Sequence, residues 1–206
     1  VKEGMGVLEE RNLMITYQSD DAVDVTVSGN RTDVNKVDSS NITVKVDVSR
    51  IDKPGAMIPL VGAYFNPVHS DREKAARCER IFGEYLHHCK AMGCEAVGSE
   101  TGSFNDDKWT YHPRNRTEEA LQTVVDTFSR LCDVAAEAGT VVAMEGAAGH
   151  VCWNVQTLAR ARKMIGKPTK VIFDLYNYLD ESNQFSYLDI LREGLETFAG
   201  DILLFH

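Results

Sequence analysis

A chain of 206 residues, 43% hydrophobic and 26% charged, has the make-up of a folded globular protein with a sizeable core, not of a disordered or fibrous one. Its net charge of −9 disfavours a broad phosphate-binding surface, because nucleic-acid affinity rests on Lys and Arg neutralising phosphates, so small polar substrates are the expected partners. No stretch reaches the roughly 18 apolar residues a membrane helix needs, and there is no charged-then-apolar leader.

Five cysteines, Cys78, Cys89, Cys94, Cys132 and Cys152, lack any C-x-x-C spacing and mostly fall within helical or strand patterns, so they are expected to be buried thiols of a cytoplasmic protein. The N-x-T tripeptides at Asn30, Asn41 and Asn115 are too short a pattern to argue for secretion. The sequence starts at Val1 without an initiator Met and stops directly after an apolar run, as expected of a fragment.

In chain order, residues 22–28 and 42–48 come first. Both alternate apolar and polar residues and are rich in Val, Ile and Thr, which predicts a pair of half-buried strands. Ser28-Gly29-Asn30 and Lys53-Pro54-Gly55 are turn signals. With Val25-Thr-Val-Ser-Gly29, Val44-Lys-Val-Asp-Val48 and Lys53-Pro-Gly55, the stretch from about residue 5 to 56 resembles the YbbR-like repeat, a small β module.

After Met57 short apolar runs alternate with longer segments of helical period, the pattern of repeated βα units. The runs are Ile58–Phe65, Cys94–Gly98, Thr140–Met144, Lys170–Phe173 and Asp201–Phe205, each expected to be a parallel strand covered on both faces. Between them, a helix is predicted from Ser70 to Met92, with Ser70 and Glu73 as a capping box and Cys78, Ile81, Phe82, Tyr85, Leu86, Cys89 and Met92 inward. A second starts near Thr117, turns Leu121, Val124, Val125, Phe128, Leu131 and Cys132 inward, and stops at Gly139. A third spans Asn154 to Ile165. A fourth begins at Ser186, buries Ile190, Leu191, Leu195 and Phe198, and ends at Gly200.

The expected fold is therefore α/β: a partial (β/α)8 TIM barrel of about five βα units over residues 57–206, preceded by a β-rich segment over 1–56. Barrel units average about 31 residues, so side chains at equivalent strand ends recur at about that interval. Glu145 and Asp174 are 29 residues apart, and Asp174 and His206 are 32 apart; Asn66 and Glu100, 34 apart, follow the first two runs. All are expected on the C-terminal rim, where the loops of such barrels build active sites. Glu145, Asp174 and His206 offer mixed O and N ligands for a divalent metal, Mn²⁺, Co²⁺, Mg²⁺ or Zn²⁺, which the ligand set does not distinguish. Such a metal polarises a carbonyl and stabilises an enediolate, the obstacle to moving a proton next to that carbonyl.

Around these, His69 serves either to bind substrate or to bracket a helix start. Glu100 stands on a glycine-flanked strand end, His150 can reach the rim from its loop, and Asn177 either bonds a substrate hydroxyl or caps a turn. His87, His88 and His112 are expected to be structural or solvated. Trp109 and Tyr111 either cover the site or pack their own loop.

Ser-Glu-Thr-Gly-Ser at 99–103, Glu145-Gly with His150, Phe173-Asp174 and Leu204-Phe-His206 resemble the sugar phosphate isomerase/epimerase group of xylose isomerase-like barrels, over about residues 57–206. The resemblance implies a metal-dependent isomerase or epimerase of carbohydrate metabolism acting on a sugar or sugar phosphate, with Glu145 as metal ligand and catalytic base. It implies that the five strands are the third to the seventh, so that the first two strands and the eighth, with its acid–base glutamate, are missing. Five strands leave open edges, which predicts instability or association with a second copy. The alternatives are an inosose dehydratase of the same barrel group and an inactive fragment whose β module is a structural or interaction unit. An endonuclease acting at abasic sites shares the barrel but needs a His three residues after the Asp of its sixth strand, where this chain has Asn177.

Overall fold

A computed structural model describes residues 58–206. The strands expected at 22–28 and 42–48, and the YbbR-like segment, lie outside the described residues. Within them the order is β-α-β-α-β-α-β-α-β: β1 (Val61–Gly62), α1 (Arg72–His88), β2 (Ala96–Glu100), α2 (Glu118–Ala138), β3 (Val141–Glu145), α3 (Val155–Ile165), β4 (Thr169–Phe173), α4 (Tyr187–Phe198) and β5 (Ile202–Phe205). The five strands form one parallel sheet in sequence order, curled as part of a (β/α)8 barrel.

Helix boundaries follow local chemistry. Thr117 and Asn154 cap α2 and α3 through side-chain oxygens that accept the amides of Ala120 and Thr157. Gly93, Gly139 and Gly166 end a 3-10 turn after α1, α2 and α3 in the left-handed conformation. At α1 the expected capping box does not form. Asp71 is the cap, accepting the Lys74 amide at 2.9 Å, while the Ser70 hydroxyl donates to Asp106 at 2.7 Å and so leaves the helix end.

The sheet rests on α1 and α2, with Phe65, Phe82 and Phe128 packed ring against ring at 5.6 and 6.2 Å. All six residues expected inward on α2 are buried. Of the residues expected inward on α1, the turn after it and α4, Cys78, Tyr85, Met92, Ile190 and Leu191 are half-buried, and two are turned out: Ile81 is 48% and Leu195 43% exposed. Helix α1 lies on the sheet through Ala75, Phe82, Leu86 and Cys89, a stripe that excludes Ile81. Helix α4 approaches the sheet at Gly194, where a Cβ would come within 2.2 Å of the Phe173 ring, and at Phe198; Leu195 is thereby turned outward.

Coverage on both faces holds for the central strands but not the edge ones. Only Val61 and Gly62 of the first run pair as strand, because the Phe65 amide donates to Ser99 Oγ at 3.0 Å instead of to a ladder carbonyl. At the other edge Phe205 is 58% exposed.

Candidate active site

The strands pair Glu100 with Glu145, and Glu145 with Ile172, which places Asp174 two residues beyond the partner of Glu145. A register shift between Val171 and Ile172 then sets Phe173 beside Phe205, so Asp174 and His206 leave their strands together. Strand stagger, which barrel closure requires, brings together residues that are not ladder partners. In the same register Gly62 pairs with Gly98, so the residue that continues opposite Glu100 is Tyr64, not Asn66. Asn66 is consumed by the loop after β2: its amide donates to the Ser103 carbonyl at 2.6 Å, and its Oδ1 accepts the amides of Val68 and Ser103.

Glu145, Asp174 and His206 do converge, each offering a ligand atom within 4.8 Å of the other two. Glu145 is only 1% exposed, and both its oxygens are held: Oε2 accepts the Tyr64 hydroxyl and Oε1 the Asn177 amide, each at 2.8 Å. Asp174 turns Oδ1 to the Tyr176 amide at 2.9 Å, and its Oδ2 faces His206. The His206 backbone amide donates to the Phe173 carbonyl at 3.2 Å, and its Nδ1 lies 3.6 Å from both Glu145 Oε1 and Asp174 Oδ2. At that separation the three groups are not hydrogen-bonded to one another. Two carboxylates and an imidazole at this spacing fit a divalent cation.

Electrostatics agree with the fit. Burial, reinforced by the charges of Glu145 and Asp174, pushes the Glu100 carboxyl up to about 7. Burial and the hydrogen bond to Glu145 hold the Tyr64 hydroxyl well above the ordinary tyrosine range. A rim with three carboxylates this close favours a positive charge among them.

Beside the three ligand candidates lies a cleft of about 470 Å³, reached by Glu100 and Asn177 and walled by Trp109, Gly149, His150 and Asp180. His150 is 4% exposed; its Nε2 faces the Trp109 carbonyl at 3.1 Å, its ring packs on the Trp109 indole at 5.3 Å, and burial pulls its pKa down. Trp109 thus both walls the cleft and packs its loop. Asn177 joins the two parts, since its backbone carbonyl also accepts the Ala148 amide at 2.7 Å.

His69 is placed elsewhere, at the start of α1. Its Nδ1 accepts the Asp71 amide at 2.9 Å, its Nε2 lies 3.4 Å from Asp107, and it does not line this cleft. His112 caps a short 3-10 turn. Asn115 is buried, donating to Gly149 O at 2.7 Å and accepting the Phe104 amide at 2.9 Å, so its N-x-T tripeptide is closed to modification in the folded chain.

The xylose isomerase-like TIM barrel family matches residues 21–206, and the chain belongs to that family. The match begins inside the segment that resembles the YbbR-like repeat. Among solved structures, 3-keto-D-glucoside 4-epimerase from E. coli is similar at 17% identity and a TM-score of 0.58, with 75% of this chain and 59% of that one covered. The probable 3-DHS dehydratase from Bacillus anthracis is similar at 11% identity and 0.53, covering 71% and 48%. The IOLI protein, solved with a binding zinc atom, is similar at 14% identity and 0.51, covering 69% and 49%. At these identities the likeness is one of fold, and the chain spans about half to three fifths of each structure. No curated protein sequence matches the chain.

Proposed function

We propose that this rim belongs to a metal-dependent isomerase or epimerase of sugars or sugar phosphates, which moves a proton next to a carbonyl. The observation that carries the reading is the convergence of Glu145, Asp174 and His206 on β3, β4 and β5, with Glu145 buried and fixed at both oxygens. These three residues would hold the metal, and a bound divalent ion supplies the positive charge that makes a carbonyl-adjacent proton removable.

The chain's own groups do the rest. Glu145 takes the proton, and the Tyr64 and Asn177 hydrogen bonds fix the direction in which its carboxylate presents a lone pair. Glu100, His150 and Asn177, which line the cleft, bind the substrate. Such an active site serves a small sugar, not a nucleic acid. Five unpaired cysteines, four of them buried, support a cytoplasmic setting.

The test is an assay of the chain with Mn²⁺ across ketoses and inososes. Glu145→Gln is expected to lower turnover at least about 10²-fold, the ordinary contribution of a positioned base; full turnover in that variant would remove Glu145 from the role. A dehydratase is the second reading, favoured by the fold shared with the probable 3-DHS dehydratase. A product lighter than its substrate by one water would establish it.

A further inference from the structure

The buried ring of His150 presents a polar atom that the proton-transfer chemistry leaves unused. A carbonyl oxygen can only accept, so the contact with the Trp109 carbonyl requires the hydrogen of the neutral ring to sit on Nε2. Nδ1 is then a lone-pair acceptor. It is buried and has no hydrogen-bond partner among the described residues, and the nearest carboxylate oxygen, Glu100 Oε1, is 3.8 Å away, too far for a direct bond. A buried acceptor without a partner is costly and calls for a donor from outside the protein.

The surrounding backbone is built to keep it so. Trp109 has φ +53°, a conformation that a bulky residue adopts only under constraint, and in it the Trp109 carbonyl meets Nε2. The ring is further held by its contact with the Trp109 indole.

We propose that His150 Nδ1 and Glu100 together read two adjacent hydroxyls of an uncharged, polyhydroxylated substrate. Two acceptors facing one another at 3.8 Å suit two hydroxyl donors on neighbouring carbons, one bonding each. Among the described residues the cleft lining contains the acidic Glu100 and Asp180 and no Lys or Arg, so it offers a phosphate ester no cationic side chain. This assignment rests on the proposed sugar chemistry and chooses the free sugar over its phosphate.

Calorimetric titration of the Mn²⁺-loaded chain with D-tagatose, D-fructose, their monodeoxy analogues and D-tagatose 6-phosphate tests it. One monodeoxy analogue is expected to bind the wild type about tenfold more weakly than its parent, the effect of leaving one buried acceptor unpaired. His150→Phe is expected to weaken the parent by a similar factor and to erase the difference between that analogue and its parent. The phosphate ester is expected to bind more weakly than the free sugar. Should His150→Phe fail to fold, the analogue series on the wild type decides alone. Equal binding of all monodeoxy analogues, or tighter binding of the phosphate ester, overturns the proposal while leaving the isomerase reading standing. A wild-type chain that binds none of these sugars overturns the proposal, and one that also fails to bind Mn²⁺ overturns the isomerase reading with it.

Discussion

The middle of the sheet and its last edge are built from the same kind of unit but hold their side chains very differently. Strand β3 is flanked by β2 and β4 and backed by α2, and it delivers Glu145 with both oxygens fixed. Among the described residues strand β5 has a neighbour on one side only, α4 lies on the sheet through Gly194 and Phe198, and His206 leaves the last strand with a side chain 60% exposed. The difference is one of contacts: Glu145 is buried and bonded at both oxygens, whereas among the described residues His206 has one backbone hydrogen bond and its electrostatic partners.

Five measurements would break or sharpen this contrast. Phe128→Ala, which empties the centre behind β3, should cost about 3–5 kcal/mol by urea denaturation. A loss under 1 kcal/mol would mean that the centre is no better packed than the edge. Next, Mn²⁺ at about a hundredfold over its Kd should stabilise the chain by about 2.7 kcal/mol, and EDTA should reverse it. His206→Ala should abolish that gain while changing the metal-free stability little, because its ring is largely exposed. An equal gain in the variant would remove His206 from the metal site.

A smaller effect is expected at the foot of β5. Arg162 donates to Asp201 at 2.7 Å and, more than any other contact, holds the Asp201 carboxyl below the ordinary carboxylate range. A depressed folded-state pKa stabilises the fold above the unfolded carboxylate's pKa, and the contribution fades as the pH falls through the folded value. Melting temperatures from about pH 5 down to about pH 2 should therefore fall less steeply in Asp201→Asn than in the wild type. Since Asp201 is half exposed, the effect at neutral pH should stay under about 1 kcal/mol. Smallest of all, Leu195→Ala should lie within about 0.5 kcal/mol of the wild type by thermal melting, as befits an outward-facing residue.

The sequence shows the order of units, the inward face of α2 and the glycines that stop the first three helices, because those depend on local period and caps. The convergence of Glu145, Asp174 and His206 is legible too, since each stands at the end of an apolar run. Tyr64 is hidden, for an aromatic within such a run reads as core, and only the pairing of Gly62 with Gly98 reveals that it stands opposite Glu100. Equal sequence spacing misplaces Asn66 because strand stagger and loop length shift the rim. Asp71 takes the cap from Ser70 through a contact with Asp106, 36 residues away, which no local pattern contains. The same holds for the Trp109 carbonyl that fixes His150 from 41 residues away.

Gly146 carries a consequence for how this rim can vary. A Cβ at that position would come within 2.4 Å of the Tyr178 hydroxyl, so the residue that follows Glu145 is fixed by an aromatic from the loop after β4. Tyr178 packs in turn on Phe173, the residue before Asp174. In a library randomised at residues 145, 146, 173 and 178, surviving clones that replace Gly146 should therefore also replace Tyr178, linking the inheritance of two neighbouring strand ends.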